Sequence, residues 1–504
     1  MAPFRPLILV QIFIIIMVGC QEVSAWPFGK KKYSEGVDPR IKNIVVLVME
    51  NRSFDTILGR LKWDGINPEV NGLVGNEFNV LESGEVIKIM PGVGPETKFD
   101  PGHDIDRFTQ QIYGMGTINT AGLTPTMSGF AKQAYVESHH NMESTKEIFK
   151  AYGPDVLPVT YALAQEFTVI DDWFSSFPGA TYPNRHFVHC ATSSGRTLNT
   201  DNIKGVPCKT IFNHLDKNKN SWKVYSDSAR ISTLLYRDMR HPKRLFNLRK
   251  TSHFKRDCAA GKLPQYSFLD PSYDKNDNHP PGNFNNGEAY VKEIYEAIRS
   301  SPQWNQTLFL LTYDEGGGFY DHVLPPTGVP IPDTKYPRPS FGDFNFDRLG
   351  TRVPTILISP LVPKGKVARS TVPGRHFEHS SIAATIKKVF GLPNFLTKRD
   401  EWALPFDTIA NLPEPRAHPF AHLVVECEQV TGHRIQSGLV PAIQKSRLRL
   451  LGRALDSGVE NVYIWLRGGV LNGEADLDQR WLDGTVEHES MGTRHDNQAL
   501  DSNG

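Results

Sequence analysis

The sequence predicts an α/β protein with a largely parallel sheet, and two observations carry this prediction. Residues 44–49 and 307–313 are short runs of β-branched and large apolar side chains with almost no polar break, as expected of strands that are covered on both faces. Each run is followed directly by acidic or amide residues, which are Glu50, Asn51, Asp314 and Glu315. Ligands of open α/β sheets bind beyond the carboxyl ends of the strands, so these residues predict a crevice there. The alternative at the first strand is a solvated turn with a helix cap.

The remaining elements are weaker but fit the same fold class. Apolar runs predict two further strands, at 167–171 and 351–360, and helical periodicity predicts helices at 159–166, 286–299 and 380–390. Residues 59–129 are rich in Gly, Pro and Asn and predict long loops that carry short elements. Loops of that length in a compact domain are usually functional.

The N-terminus has the order of a secretory signal peptide. Arg5 precedes an apolar run at 7–18, and small residues end at Ala25, so residues 1–25 are expected to be cleaved off. A retained anchor is the alternative, although the run is short for a bilayer span. No later segment is apolar enough to cross a membrane, so we expect no transmembrane segment in the mature chain. The expected location is the secretory pathway, either secreted or in an endomembrane lumen.

The mature chain divides into a large domain and a C-terminal region. Residues 26–415 hold all the predicted strands, and a Pro-rich linker precedes residues 416–504. Within the second region, 440–455 predicts an amphipathic helix, and the polar tail that follows is expected to be mobile. We therefore expect a small, mainly helical C-terminal region.

Composition limits the function classes. The 56 basic and 55 acidic residues nearly balance, which argues against a general nucleic-acid binder. Three disulfide pairings remain open among four cysteines in an oxidising compartment. Those cysteines are Cys190, Cys208, Cys258 and Cys427.

The acids after the two strands predict a metal site. Converging carboxylates repel each other unless they are protonated, hydrogen-bonded or bound to a cation. A divalent metal ion is the economical explanation, and any histidine ligand would shift the choice towards manganese, iron or zinc. Acids scattered over separate loops are the alternative. Of two glycosylation sequons, Asn51 and Asn305, we expect a glycan only on Asn305, because a metal ligand in a crevice is inaccessible.

A threonine near that metal is a possible nucleophile. Thr181 lies in a Gly-Ala-Thr-Tyr-Pro-Asn-Arg turn after the strand at 167–171. Its hydroxyl needs a base or a metal to lose its proton at neutral pH. Arg185, four residues on, has the geometry to bind phosphate oxygens in a bidentate way. Singly, both residue types are more often structural.

One stretch of the chain is strongly basic. Residues 237–256 contain eight Lys or Arg and one acid, Asp238. A solvated face is the more common reason for such a run. The alternative is a basic lip that attracts anionic lipid headgroups.

Five ordered motifs run along the large domain, namely MENRSFD (49–55), PGATYPNR (178–185), HPPGN (279–283), YDEGGGFYDHVLPP (313–326) and TRVPTILISP (351–360). Together they resemble the phosphoesterase family that contains bacterial phospholipases C and a bacterial acid phosphatase. The loop-rich form with a signal peptide is similar to the plant non-specific phospholipases C. The resemblance covers about residues 42–412 and implies an alkaline-phosphatase-like α/β/α sandwich for the predicted phosphoesterase domain at 26–415.

The resemblance also implies roles for individual residues. Thr181 matches the position of the nucleophile, and Asn184 and Arg185 in the same motif would bind phosphate. Three histidines would contact phosphate or protonate the leaving group, namely His103, His279 and His322. A divalent metal would be held by Glu50, Asn51, Asp314 and Glu315. Glu315 stands where the acid phosphatase pattern has Asp, which leaves the identity of the metal open.

The expected function is a phospholipase C-type phosphodiesterase that acts at a phospholipid membrane surface as a peripheral protein. It would release diacylglycerol and a phosphorylated headgroup. A phosphomonoesterase of the same fold, like the acid phosphatase, is the nearest alternative. A catalytically silent secreted lipid-binding protein is the alternative from another class.

Overall fold

The computed structural model describes residues 36–417, except 115–119, 121–122, 201–203, 274 and 333–343, and two short strands at Trp465–Leu466 and Gly469–Val470. The predicted signal peptide, the predicted helix at 440–455 and Cys427 lie outside the described residues.

An eight-stranded sheet forms the centre of the fold. In chain order its strands are β1 (Asn43–Met49), β2 (Thr168–Ile170), β3 (Trp222–Tyr225), β4 (Leu248–Arg249), β5 (Tyr266–Leu269), β6 (Thr307–Tyr313), β7 (Thr355–Ile358) and β8 (Val367–Ala368). Their spatial order is β4-β3-β5-β1-β6-β7-β2-β8. All pairs are parallel except those of β7, which runs antiparallel to both neighbours.

The strands predicted from the sequence are all present. β1 and β6 are buried at every residue and occupy the middle of the sheet, as their unbroken apolar runs predict. The strand predicted at 351–360 is shorter, and its antiparallel direction was not predicted. Because Thr312 pairs with Thr355, residues just before β7 lie near those just after β6.

Helices lie on both faces of the sheet. On β5, Phe268 contacts His189, with ring centroids 4.5 Å apart, and Val224 of β3 is its register partner on the same face. Tyr225, next along β3, points to the opposite face and contacts Phe254 at 5.1 Å. The helices are α1 (Phe54–Leu58), α2 (Arg60–Trp63), α3 (Ile105–Tyr113), α4 (Phe130–Glu137), α5 (Met142–Glu147), α6 (Pro158–Glu166), α7 (Thr181–Cys190), α8 (Ile211–Lys217), α9 (Pro242–Leu245), α10 (Thr251–Ala259), α11 (Phe284–Arg299), α12 (Ser380–Phe390) and α13 (Lys398–Trp402). The predicted α/β/α sandwich is confirmed.

The described part of 59–129, predicted as long loops, forms a small lobe together with residues 130–151, and this lobe has its own core. Helices α3 and α4 pack there against a hairpin of Phe78–Val80 and Val86–Lys88. Phe319 and Tyr320, from the loop after β6, complete this core. The lobe therefore lies against the carboxyl edge of the sheet. Short strands at Glu96–Thr97 and Gly282–Asn283 pair beside it.

One disulfide is present among the described residues. Cys190, the last residue of α7, bonds to Cys208, which is one of the pairings left open by the sequence. Cys258 is a buried free thiol.

Candidate active site

The acids after β1 and β6 leave the sheet side by side. Met49 and Tyr313 are register partners, so the residues that follow them meet at the same edge. The Asn51 amide donates a hydrogen bond of 3.2 Å to Asp314 Oδ1. Asn51 adopts a positive φ of 67°, which aims its side chain at the glycine-rich loop.

A glycine lets that loop approach Asn51 closely. Gly317 has a φ of +61°, and a Cβ there would lie 2.0 Å from Asn51 Oδ1. A side chain at this position is excluded both by conformation and by space. The run of three glycines after Glu315 thus has a local reason in the packing of the site.

Thr181 reaches the acids from another element. It is the first residue of α7 and follows an extended Ala180. Its hydroxyl donates a hydrogen bond of 3.0 Å to Glu315 Oε1 and is 6% exposed. The structure therefore brings the predicted nucleophile together with the predicted metal ligands.

Arg185 lies beneath these acids and not on the open side of the site. Its guanidinium donates to Asp314 Oδ2 at 2.9 Å and to Asp270 Oδ1 at 3.0 Å, and its Nη2 lies 3.3 Å from Glu50 Oε1. The same Nη2 donates to the Val48 carbonyl at 3.2 Å. All three guanidinium nitrogens face protein groups, which differs from the direct phosphate contact expected from the sequence.

Asn184 also differs from expectation. Its amide nitrogen donates to the carbonyls of Phe177 at 3.2 Å and Gly179 at 2.8 Å, and its oxygen accepts from the Phe177 amide at 3.2 Å. The side chain is completely buried. It ties down the turn that presents Thr181 and does not face a phosphate.

The acids of the site carry strongly perturbed pKa values. Burial raises the pKa of Glu50 and of Glu315 well above the usual range, and the neighbouring Asp314 charge adds to both. Burial also raises the pKa of Asp314, although Arg185 opposes it. The positive charge of Arg185 alone therefore does not balance the negative charges of these three acids, and a further positive charge beside them is favoured.

Unsatisfied acceptors identify where that charge fits. Asn51 Oδ1 and Glu315 Oε2 are buried and accept no hydrogen bond, and Glu50 Oε1 has an ion pair with Arg185 but no hydrogen bond. A buried acceptor without a partner is costly. Carboxylate and amide oxygens suit a hard divalent cation, so the residues present fit the metal that the sequence predicts.

Two of the predicted histidines lie beside the acids. His103 Nε2 is 4.0 Å from Glu315 Oε1, and its ring centroid is 5.8 Å from that of His279. His103 Nδ1 donates to the Pro101 carbonyl at 2.7 Å. A carbonyl can only accept, so this bond leaves Nε2 as the nitrogen that faces the acids.

His322 lies in a different cluster. Its Nδ1 is 2.7 Å from Asp55 Oδ2, and its Nε2 is 3.1 Å from Asn71 Oδ1. Burial opposes protonation of the ring, but Asp55 outweighs burial and raises its pKa. Arg352 donates to both Asp55 and Asp321 in this cluster. The ring therefore contacts Asp55 and not the groups around Thr181.

Three residues at the site were missed. Asp270 follows β5 directly, so it carried the signal of an acid after a strand, but that strand was not predicted. Asp100 Oδ1 lies 3.4 Å from Asn51 Nδ2 and 3.7 Å from His103 Nδ1. His379 donates from Nε2 to the Asp314 carbonyl at 2.5 Å. Nothing in the sequence around His379 indicated that contact.

The basic stretch 237–256 lies at the side of the sheet. It includes the edge strand β4, three strands from β1. Some of its cations pair with acids, as Arg244 does with Asp216 at 2.9 Å. The stretch does not surround Thr181 and the neighbouring acids. Across the part of the chain that the structure describes, no helix combines the length and apolar character needed to cross a bilayer.

Comparison with known proteins places the chain in a family. The phosphoesterase family profile matches residues 41–393. Non-specific phospholipase C6 of Arabidopsis thaliana is 45% identical over 75% of this chain and 73% of its own length. Non-specific phospholipase C1 of the same plant is 43% identical over 81% and 77%. Phospholipase C B of Mycobacterium tuberculosis is 28% identical over 73% and 78%.

Solved structures are more distant. A protein in the alkaline phosphatase superfamily from Vibrio parahaemolyticus is 11% identical, with a TM-score of 0.30 over 48% of this chain and 62% of that chain. The likeness is too low to carry an argument. The extent of the family match and the identity to the plant relatives are decisive: the chain belongs to the phosphoesterase family and is a hydrolase of phosphoric ester bonds.

Proposed function

We propose that this phosphoesterase is a phospholipase C that cleaves glycerophospholipids on the glycerol side of the phosphate, with Thr181 as its nucleophile. The hydrogen bond from Thr181 to Glu315 carries the proposal, because it places the hydroxyl 3.0 Å from a buried carboxylate oxygen that can take its proton. Similarity to plant non-specific phospholipases C supports the lipid substrate.

In the first step, Thr181 Oγ attacks phosphorus and its proton passes to Glu315 Oε1. The bond between phosphorus and the glycerol oxygen breaks, and that oxygen takes the Nε2 proton of a doubly protonated His103, whose Nδ1 proton stays hydrogen-bonded to the Pro101 carbonyl. Diacylglycerol leaves, and the phosphorylated headgroup stays bonded to Thr181. In the second step, water attacks phosphorus and gives a proton to His103. The bond from phosphorus to Oγ breaks, and Oγ recovers its proton from Glu315.

The remaining residues prepare the site for this chemistry. Glu50, Asn51 and Glu315 would hold a divalent cation through oxygens that accept no hydrogen bond. Asp314 would add its carboxylate, whose oxygens also accept hydrogen bonds from Asn51 and Arg185. When bound, the cation would polarise the phosphoryl oxygens and favour loss of the threonine proton. Arg185 holds Asp314 in place and balances part of the buried negative charge. His379 donates a hydrogen bond to the backbone carbonyl of Asp314.

We infer from the N-terminal pattern that the protein enters the secretory pathway, and from its proposed substrate that it works as a peripheral protein at a phospholipid surface. Part of 237–256 forms the edge strand β4, so we propose that this stretch contacts the membrane beside the site and does not form a rim around it. High salt should then weaken vesicle binding without changing hydrolysis of a soluble short-chain lipid.

Product analysis tests the proposal. Purified protein and Thr181→Ala are incubated with phosphatidylcholine vesicles, with and without chelator, and the products are identified by mass spectrometry. Diacylglycerol and phosphocholine are expected from the wild type alone, and only without chelator. Hydrolysis of a simple phosphate monoester with no lipid cleavage would instead indicate the phosphomonoesterase. Vesicle binding without any product would indicate the silent lipid-binding protein.

A further inference from the structure

A polar cavity of about 350 Å³ lies directly beside the proposed active site. Its walls are formed by residues 96–98 and by the segment from Lys275 to Asn286. The two walls are joined because Thr97 pairs with Gly282 and Glu96 with Asn283 in an antiparallel ladder. The cavity is thus a built feature of the fold.

Two contacts connect the cavity to the site. His279 lines the cavity, and its ring lies 5.8 Å from that of His103. Asp277, also in the lining, accepts a backbone hydrogen bond of 2.8 Å from Glu50. A group bonded to a phosphate held next to Thr181 could therefore extend past His279 into this partly open cavity.

The lining offers both donors and acceptors of hydrogen bonds. Lys98 and Lys275 contribute ammonium groups, Glu96 contributes a carboxylate, and Asn283 and Asn286 contribute amides. Apart from His279, the lining contains no aromatic ring. A quaternary ammonium group is bound best by aromatic faces, so this chemistry does not favour a choline headgroup.

A polyhydroxylated headgroup matches this lining. Each hydroxyl is both a donor and an acceptor, and it is best satisfied where lysine or amide donors alternate with carboxylate or amide acceptors. The volume falls within the range of small-molecule sites. It leaves space for a six-membered polyol ring.

We propose that this cavity is the headgroup subsite and that it favours lipids whose phosphate carries an inositol-type polyol ring. The inference rests on the proposed function. It assigns Lys98 and Asn286 as specificity-determining residues, since both are exposed on the cavity walls and outside the group around Thr181.

Two variants and one control test this subsite. Lys98→Met and Asn286→Leu remove polar groups from the two walls, whereas Lys88→Met removes an exposed lysine from the hairpin outside the cavity. Binding of inositol 1-phosphate and of phosphocholine to the metal-loaded protein is measured by calorimetry. Hydrolysis of phosphatidylinositol and phosphatidylcholine in mixed vesicles is measured in parallel.

We expect inositol 1-phosphate to bind more tightly than phosphocholine to the wild type. Each cavity variant should weaken inositol 1-phosphate at least fivefold and lower the phosphatidylinositol to phosphatidylcholine rate ratio by a similar factor, while Lys88→Met changes neither. Unchanged ratios in both cavity variants, with lipid cleavage intact, would overturn the subsite and leave the proposed function standing. If the wild type cleaves neither phosphatidylinositol nor phosphatidylcholine, that result would contradict the proposed function itself.

Discussion

The hydroxyl of Thr181 donates to Glu315 Oε1 across 3.0 Å, and this bond joins the start of a helix to the end of a central strand. The other oxygen of Glu315 is buried and accepts no hydrogen bond. One carboxylate thus has an oxygen for the nucleophile and an oxygen for a cation. The reactivity of the hydroxyl is therefore coupled to whatever charge occupies the acids.

Removing a ligand should remove the cation. Glu50→Gln and Glu315→Gln each replace a buried carboxylate with a neutral amide. We expect cation affinity to fall by at least the roughly tenfold that loss of a residue supporting a metal ligand costs. Metal content after dialysis, measured by plasma mass spectrometry, checks this. Glu293→Gln, on an exposed helix face, serves as the control. Full metal content in both site variants would remove the proposed ligand set.

Arg185→Met should destabilise the fold. Arg185 is the buried partner of Asp270 and Asp314, and leaving buried charges unpaired costs about 3–5 kcal/mol. Urea unfolding of the chelated protein measures the loss. Arg244→Met is the matched control, because its pair with Asp216 is partly exposed and is worth at most about 1 kcal/mol. A small loss for Arg185→Met accompanied by a raised KM would restore the phosphate-binding role predicted from the sequence.

Glycosylation should distinguish the two sequons. Asn51 is completely buried among the acids, so a glycan there is incompatible with the fold. Asn305 is exposed just before β6. Glycopeptide mapping of protein secreted from eukaryotic cells should find sugar on Asn305, and Asn305→Gln should abolish it. Sugar on Asn51 would contradict the described site.

Glu288 gives stability a pH dependence. It accepts hydrogen bonds from the Val159 and Thr160 amides at the start of α6, yet burial raises its pKa from 4.5 to about 7. The folded state therefore holds the proton more tightly than the unfolded chain. The stabilisation of the folded state that comes from this raised pKa is fully present below pH 4.5. It is lost as the pH rises through about 7, and the loss amounts to about 3 kcal/mol.

The variant Glu288→Gln tests this assignment, because glutamine does not titrate. The difference in unfolding free energy between pH 5 and pH 8 should be smaller in the variant than in the wild type. An equal difference in both proteins would mean that Glu288 titrates normally.

The sequence predicted the two central strands of the sheet better than the outer strands and the strand directions. β1 and β6 are covered on both faces. Their side chains are therefore apolar almost without interruption, and this pattern can be recognised within a short segment of the sequence. The helix predicted at 380–390 is also present with the same bounds. β3 and β5 were not predicted, because Lys223 and Ser267 interrupt their short apolar runs. The direction of β7 depends on how the chain returns to the sheet, which periodicity does not encode.

Some residues of the site could be predicted from the local sequence, and others could not. Glu50 and Asp314 were found because an acid after a buried strand is a local signal with a geometric consequence. The environment of Arg185 was not predictable, because its partner Asp314 lies 129 residues away. His322 shares a motif with Asp314 but bonds to Asp55, 267 residues away. Motif membership alone did not separate these roles.

The stereochemistry at phosphorus tests the Thr181 mechanism most directly. A phospholipid with a chiral phosphorothioate is hydrolysed in ¹⁸O-labelled water, and the configuration of the phosphorylated headgroup is determined. Two successive in-line displacements, first by Thr181 and then by water, predict net retention of configuration. Net inversion would show a single direct attack by water and would contradict the threonine nucleophile.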